Sequence, residues 1–318
     1  MKKTLSLLLA LVFLFSLTAC GGSKPTVTPS QLKPQTTSAP NATPSVDPTE
    51  KPEKTEAPTK TSKPAPSGDV YIEEQVIIDQ DDIVVTVKSL NLDASYYAAE
   101  LKVLIENNTD TDVNISLDHC AVNGIMIGGY LYATIAAGKK SNETISFYED
   151  DFEEVGISTI KSIDLVVNVY ETESYDDIIV SDLIMLETIG NEDYVQEYYT
   201  AGDLVFEQDG IKLVVQGVTV YGDDDYYGAE IFFYAENNSE NTVTINARNV
   251  AINGFMIDGY LYATILPGYK SYDSMTLYDD DLEENDITEI EEFEGSFRVY
   301  DANTWKDYFS TDTITITF

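Results

Sequence analysis

A block of thirteen residues occurs twice in this chain and constrains its fold more than any other feature. Residues 123–135 read NGIMIGGYLYATI and residues 253–265 read NGFMIDGYLYATI, so eleven of thirteen positions are identical at an offset of 130 residues. A duplication of this kind predicts two copies of one structural unit. The length of 318 residues is also sufficient for two domains.

Short apolar runs with turn residues between them fill both units. Ile83, Val85 and Val87 occupy every second position, as in a strand that buries one face. Asn123-Gly124 predicts a two-residue hairpin turn, because both residues tolerate positive φ. Such a series of short strands predicts an all-β fold of two tandem β-sandwiches, with a barrel as the alternative. We place the sandwiches at residues 69–190 and 195–318.

The N-terminus predicts export. Lys2 and Lys3 precede an apolar run, Leu5 to Leu17, that is short for a membrane span. The following Leu17-Thr18-Ala19-Cys20 resembles the lipobox of bacterial lipoproteins, although Thr18 stands where Ala or Ser is more usual. The resemblance implies a signal peptide at residues 1–19 and a diacylglyceryl group on Cys20. The alternative is an ordinary secretory signal with a chance cysteine.

Residues 20–68 predict a disordered tether. They are rich in Pro, Thr, Ser and Lys and hold almost no large apolar side chains. Such a segment buries too little apolar surface to fold. With two acyl chains on Cys20 for stable anchoring, the folded part is expected on the extracellular face of the cell membrane.

The charge of the chain limits its partners. The formal net charge is −38, and residues 69–318 hold 10 basic against 52 acidic residues. This surplus of acids argues against nucleic-acid binding, which requires cations on phosphates. It is typical of a solvated acidic surface, with cation binding as the sharper alternative.

Four repeated motifs resemble a known domain. They are the ENN turn, the NG-x-M hairpin, the A-T-I-x-x-G-x-K-S stretch and the acidic D-D-x-x-E-x-x-I segment. Together they resemble a repeated immunoglobulin-like domain of Firmicute lipoproteins, over roughly residues 70–318. The resemblance implies two tandem immunoglobulin-like β-sandwich domains after the tether. It implies no catalytic residue.

Enzyme chemistry has little support in the sequence. His119 is the only histidine, and the G-x-S-x-G motif of a nucleophile elbow does not occur. Cys120 stands opposite Val250 at the repeat offset, which predicts a core position for both. We therefore predict a protein that is not an enzyme, with a cell-wall hydrolase as an alternative.

Two acidic runs, EDDFEE at 149–154 and DDDLEE at 279–284, allow two interpretations. One is a pair of short helices in which Phe152 and Leu282 are buried and capping boxes close the N-termini. Asp150 with Glu153, and Asp280 with Glu283, would form these boxes. The other is a calcium site, because hard cations take carboxylate oxygens. The candidate ligands are Asp150, Asp151, Glu153, Glu154, Asp280, Asp281, Glu283 and Glu284. No other cofactor is expected.

Aromatic residues form the second candidate site. Tyr130 and Tyr132, and likewise Tyr260 and Tyr262, alternate and are expected to share a sheet face. An exposed face would be a stacking platform for a sugar or a peptide, whereas half-burial would make the tyrosines structural. The single tryptophan, Trp305, stands opposite Tyr175, and we expect both to be half-buried packing residues.

The sequence thus predicts a membrane-anchored envelope lipoprotein that presents two immunoglobulin-like domains for binding or for a structural role. The expected partner is an envelope protein or a glycan. A calcium-binding module is the first alternative.

Overall fold

The computed structural model describes residues 70–94, 97–221 and 227–318. The signal peptide, Cys20 and the tether, all predicted for residues 1–68, lie outside the described residues. No helix within the described ranges is both long and apolar enough to cross a membrane.

Each repeat consists of ten strands and one short helix in the same order, as far as it is described. The elements of repeat one are β1 (Gln75–Gln80), β2 (Ile83–Asn91), β3 (Ala99–Asn107), β4 (Val113–Val122), β5 (Ile125–Met126), β6 (Tyr132–Ile135), β7 (Lys139–Phe147), α1 (Glu149–Val155), β8 (Ser162–Glu171), β9 (Asp177–Val180) and β10 (Ile184–Glu187). Those of repeat two are β11 (Asp203–Gln208), β12 (Ile211–Val220), β13 (Tyr227–Asn237), β14 (Val243–Ile252), β15 (Phe255–Met256), β16 (Tyr262–Ile265), β17 (Lys270–Tyr278), α2 (Asp279–Glu284), β18 (Glu292–Asp301), β19 (Asp307–Ser310) and β20 (Ile314–Thr317).

Each repeat is a sandwich of two antiparallel sheets. In repeat one, β1-β2-β3-β7 packs against β10-β8-β4-β5, with β6 paired to β4 and β9 to β8. In repeat two, β11-β12-β13-β17 packs against β15-β14-β18-β19, with β16 and β20 paired to β14 and β18. Apolar side chains from both sheets fill each core. The predicted all-β fold of tandem β-sandwiches is confirmed.

The alternating pattern in β2 determines which face it buries. Ile83, Val85 and Val87 are at most 2% exposed, whereas the residues between them are partly exposed. Period-two alternation places these three side chains on one side of the sheet, where they join the core.

Two short strands, β9 and β10, follow β8 near the end of repeat one. β9 ends at Val180 and β10 begins at Ile184. Between them the N–H of Ser181 donates to the carbonyl of Val167, and the hydroxyl of Ser181 accepts from the N–H of Val167. Ser181 alone thus pairs with both backbone polar groups of Val167 in β8, and its side-chain bond takes the place of a backbone bond to β8 at the gap between β9 and β10.

The duplicated block carries the chain from one sheet to the other. Tyr130 pairs with Ser146 of β7, whereas Tyr132 pairs with Ser116 of β4 in the opposite sheet. Leu131 lies between them and is buried in the core. The crossover recurs in repeat two, at Tyr260 with Thr276, Leu261, and Tyr262 with Asn246.

The invariant start of the block is also structural. Asn123 has φ +53° and Gly124 has φ +79°, so the predicted hairpin turn is present. The amide of Asn123 donates to the carbonyl of Thr159 at 2.8 Å, and its oxygen accepts from the N–H of Lys161 at 2.7 Å. An asparagine is required here because the position needs positive φ, a donor and an acceptor together.

The two repeats join edge to edge through one parallel strand pair. β5 lies beside β17, with Ile125 opposite Lys270, and the N–H of Lys270 donates to the carbonyl of Gly124 at 3.1 Å. Ile125 is fully buried, Met126 packs against the core of repeat two, and Tyr272 packs against that of repeat one. Sheets of the two sandwiches thereby form one ten-stranded sheet.

The segment between the repeats reinforces this junction. The hydroxyl of Tyr198 donates to the carbonyl of Asn123 at 2.9 Å, and the ammonium of Lys270 lies 4.3 Å from the Tyr198 ring centroid. Gln196 is buried and its amide donates to the carbonyl of Gly156. Tyr198 thus contacts both repeats, and the segment packs against repeat one.

A buried carboxylate also lies at the junction. Asp164 of β8 is only 6% exposed and accepts a hydrogen bond from Tyr269, which precedes β17. Burial raises the pKa of Asp164, the bond from Tyr269 lowers it, and the charge of Glu187 raises it further, so the net shift is upward. The junction therefore holds a carboxyl group whose charge is disfavoured in the fold.

Candidate functional site

An aromatic cluster lies on the surface of repeat two. We call Tyr262, Tyr300 and Trp305 cluster two. The hydroxyl of Tyr300 donates to that of Tyr262 at 3.0 Å, and Trp305 stacks on Tyr300 with ring centroids 5.4 Å apart and planes 16° apart. The guanidinium carbon of Arg298 lies 4.1 Å from the Tyr300 ring centroid.

The three rings of cluster two differ in exposure. Tyr300 is 2% exposed, whereas Tyr262 is 57% and Trp305 is 61% exposed. Burial, with the contact to Tyr262, raises the pKa of Tyr300 to about 12, so it remains a neutral donor. Tyr300 is the support on which two exposed aromatic side chains are held.

Repeat one holds the equivalent group. We call Tyr132, Tyr170 and Tyr175 cluster one. Tyr175 stacks on Tyr170 with ring centroids 6.2 Å apart and planes 24° apart. The side chain of Tyr170 forms a hydrogen bond with that of Tyr132. Burial and this contact with Tyr132 raise the pKa of Tyr170. Tyr132 and Tyr175 are more than half exposed.

The outermost ring of each cluster sits on unfavourable backbone. Tyr175 has φ +63° and Trp305 has φ +61°. Each closes the turn after a long strand, since Tyr175 donates its N–H to the carbonyl of Glu171 and Trp305 donates to that of Asp301. For a residue with a large side chain, left-handed backbone is less favourable than for Gly by about 1–2 kcal/mol. Both repeats thus place a bulky aromatic where Gly or Asn is the ordinary choice.

The structure corrects two sequence predictions about aromatic residues. Tyr130 and Tyr132 do not share a sheet face, because the chain crosses between the sheets at Leu131. The same holds for Tyr260 and Tyr262.

Sequence reasoning also misjudged the tryptophan position. Tyr175 is 73% exposed and Trp305 is 61% exposed, so neither is half-buried. The turn directs each ring outward, and only one face of it packs on the strand tyrosine. The available signal was a bulky aromatic at the same turn position of both repeats.

The acidic runs form the predicted helices, but without capping boxes. α1 and α2 begin at Glu149 and Asp279, one residue earlier than the caps assumed at Asp150 and Asp280, and their N-caps are tyrosines without a side-chain cap bond. The acids instead occupy the first turn, where peptide dipoles favour negative charge. The predicted buried anchors, Phe152 and Leu282, are confirmed.

No group of three or more His, Cys, Asp or Glu side chains in the described ranges is arranged to hold a metal ion. Within the first run, burial and the neighbouring charge of Asp150 raise the pKa of Asp151. The proposed calcium ligands in both runs stay a prediction.

The remaining candidates for chemistry are placed as follows. Cys120 is buried, and burial raises the pKa of its thiol, so it is an unreactive core residue as predicted. Its counterpart Val250 is also buried. His119 is partly exposed, and its Nε2 lies 3.5 Å from the carboxylate of Asp118.

Neither a family model nor a curated protein sequence matches the chain. Among solved structures, it is similar to a Salmonella enterica SafA pilin in complex with the SafB chaperone, at 10% identity and a TM-score of 0.20, over 69% of this chain and 89% of that one. It is also similar to an Amycolatopsis orientalis exo-chitosanase, CsxA, at 12% identity and a TM-score of 0.20, over 68% and 25%. A calcium-binding mutant of Bacteroides uniformis β-glucuronidase 2 matches at 10% identity and a TM-score of 0.21, over 71% and 27%. Likeness at these TM-scores carries no argument about this chain.

Proposed function

We propose that this chain is a Firmicute-type envelope lipoprotein, anchored by lipid on Cys20, whose two immunoglobulin-like domains bind a cell-envelope glycan through their aromatic clusters. The role is binding and not catalysis. The anchor rests on the short apolar run before Cys20, and the acidic surface disfavours nucleic acid as a partner.

One observation carries the binding role: the outermost ring of each cluster is exposed on left-handed backbone. Trp305 and Tyr175 keep this arrangement although burial gains them little and the backbone conformation is unfavourable. Strain of this kind, retained at equivalent positions, is a sign of function. Stability alone would favour Gly or Asn at both turns.

The chemistry of the clusters suits a sugar. An exposed indole or phenol ring offers a flat apolar face, which matches the C–H face of a pyranose ring. The side chains of Tyr132 and Tyr262 contact Tyr170 and Tyr300, on which the outermost rings stack, and their hydroxyls can bond to sugar hydroxyls. Two clusters on one chain would bind two sites of a polymer and gain avidity.

Substitution by asparagine separates binding from folding. Asparagine tolerates left-handed backbone, so Tyr175→Asn and Trp305→Asn together should change the unfolding free energy by no more than about 1 kcal/mol per site. Retention on isolated cell-wall polysaccharide should fall at least about ten-fold, as for truncated aromatic anchors.

Tyr260→Asn is the matched control, because Tyr260 is 68% exposed but pairs with the other sheet. It should bind like the parent protein. Equal retention of the double variant and the control would overturn glycan binding at the clusters. A large loss of stability in the double variant would instead show that the rings are structural.

The anchor has its own test. Cys20→Ala should release the protein from the membrane fraction or leave the signal peptide uncleaved, since the thiol accepts the lipid. Detergent partitioning and intact mass measure this. A mature parent chain without lipid mass on Cys20 would refute the anchor and leave the glycan proposal standing.

A further inference from the structure

The junction between the repeats uses two strand edges, and the equivalent of each in the other repeat has no strand beside its outer side within the described residues. Repeat one contributes β5 to the junction, and repeat two contributes β17. The equivalent of β5 in repeat two is β15, and the equivalent of β17 in repeat one is β7. Within the described residues, β15 and β7 each lie at one edge of their sheet.

The same sequence block is covered in one repeat and bare in the other. Ile125 is fully buried, whereas its counterpart Phe255 is 48% exposed. Met126 packs on the neighbouring core, whereas Met256 is 69% exposed. Large apolar side chains on a sheet edge are costly to leave in water and mark an interaction surface.

The complementary edge shows the reverse difference. Ser271 of β17 is 4% exposed and Lys270 is half-buried, because β5 covers them. Their counterparts in β7 are Lys140, which is exposed, and Ser141, which is half-buried. The lysine–serine pair is therefore present on both edges. β3 pairs with it in β7 and β13 pairs with it in β17, but only in β17 does a second strand, β5, cover the outer side.

We propose that the partner of these free edges is a second copy of this chain, joined head to tail. β15 of one copy would lie parallel to β7 of the next, with Phe255 opposite Lys140 and Met256 opposite Ser141. This register repeats the internal pairing of Ile125 with Lys270. The contact is heterologous, so it leaves one edge free at each end and extends into a chain of copies.

Charge at the two edges supports this occupant. At the internal junction Tyr269 donates to Asp164. The equivalent pair between copies is Lys139 with Glu294, which have opposite charges. Lys139 and Lys140 are two of the 10 basic residues among positions 69–318, and both are exposed on this one edge. Lysines on an edge strand discourage pairing with strands of other proteins. A partner edge that places a carboxylate beside a lysine, as Glu294 would lie beside Lys139, is favoured by complementary charge.

Disulfide trapping tests the register directly. The full chain with Lys140→Cys is mixed with the full chain with Phe255→Cys in detergent and oxidised. Directly paired residues of neighbouring strands are close enough for a disulfide, which requires a Cα separation of about 4.4–6.8 Å. A mixed dimer with a bond between positions 140 and 255, located by peptide mass, is expected. Met185→Cys replaces Phe255→Cys in the control, because Met185 is 71% exposed and belongs to β10, which takes no part in the proposed contact of β15 with β7.

Association and charge provide two further readouts. The apparent mass of the parent chain should rise with concentration, and that of Met256→Asp should stay at the lowest value, while Met185→Asp behaves like the parent. Lys139→Glu should lower the yield of the mixed disulfide, and Glu294→Lys in the partner chain should restore it. A yield no higher than that of the Met185→Cys control, or a mass of the parent independent of concentration, would overturn the proposal.

Discussion

At the scale of single residues, the first asparagine of the repeated ENN motif stabilises the fold through buried hydrogen bonds. Asn107 and Asn237 are fully buried. The amide of Asn237 donates to the carbonyls of Asn241 and Ile265, both at 2.8 Å, and its oxygen accepts from Ser239. One side chain thus satisfies the turn and the neighbouring strand end, which explains why the motif recurs.

Asn237→Ala should therefore destabilise repeat two by about 2–3 kcal/mol, because it leaves two carbonyls without their donor in a buried site. Asn238→Ala, at the next and exposed position, should change stability by less than about 0.5 kcal/mol. Urea denaturation of both variants measures the difference. Equal effects would mean that the buried bonds contribute nothing net.

The residues of the candidate site were only partly predictable. Tyr132 and Tyr262 were identified from the duplicated block, and both belong to the clusters. Trp305 and Tyr175 were assigned to packing, because the sequence does not show that a turn on left-handed backbone directs the ring outward. The sequence shows an aromatic residue at this position in both repeats. Its exposure, however, depends on how β8 pairs with β9 and β18 with β19.

At the scale of elements, α1 and α2 place acids at both ends of a short helix. Asp280 lies in the first turn of α2, where the peptide dipoles favour its charge, and Glu284 is the last helical residue, where they oppose it. Asp280→Asn should lower the unfolding free energy by about 0.3–1 kcal/mol, and Glu284→Gln should raise it by a similar amount.

Thermal midpoints at low and high sodium chloride measure this, and both effects should shrink as salt screens them. The calcium hypothesis makes a different prediction for the same variants. Calcium would raise the midpoint of the parent beyond an ionic-strength control, and both substitutions would remove that gain irrespective of helix end.

The strands were more predictable than their pairing. Ile83, Val85 and Val87 face the core as their alternation indicates. The pairing of β5 with β17 was not visible, because Ile125-Met126 and Phe255-Met256 have the same local pattern but only the first is covered. Two segments of nearly identical sequence thus differ in a contact with a distant strand, and such a contact has no local signature.

At the scale of the whole molecule, the duplication predicted two sandwiches, whereas the way they join came only from the structure. The shared sheet and the contacts of Tyr198 connect residues that the sequence assigned to separate domains. Independent folding of residues 69–190 and 195–318 stays a prediction, and from the junction we expect each repeat to be more stable within the full chain than alone.

The junction should also respond to pH through Asp164. Because its pKa in the folded protein is raised above the unfolded value, ionisation of Asp164 lowers the free energy of unfolding. This loss is absent below the unfolded pKa, near 3.9, grows as the pH rises through the folded pKa, and is complete above it. Asp164→Asn lacks the charge, and its amide oxygen still accepts the bond from Tyr269.

The thermal midpoint of Asp164→Asn should therefore exceed that of the parent at pH 7, and the gap should close as the pH falls toward 4. Comparing the two chains at each pH cancels the titration of the other acids. Asp193→Asn, which removes one exposed charge from the linking segment, corrects for the lower net charge. A midpoint below that of the parent at pH 7 would show instead that the ionised carboxylate strengthens the bond from Tyr269 by more than its burial costs.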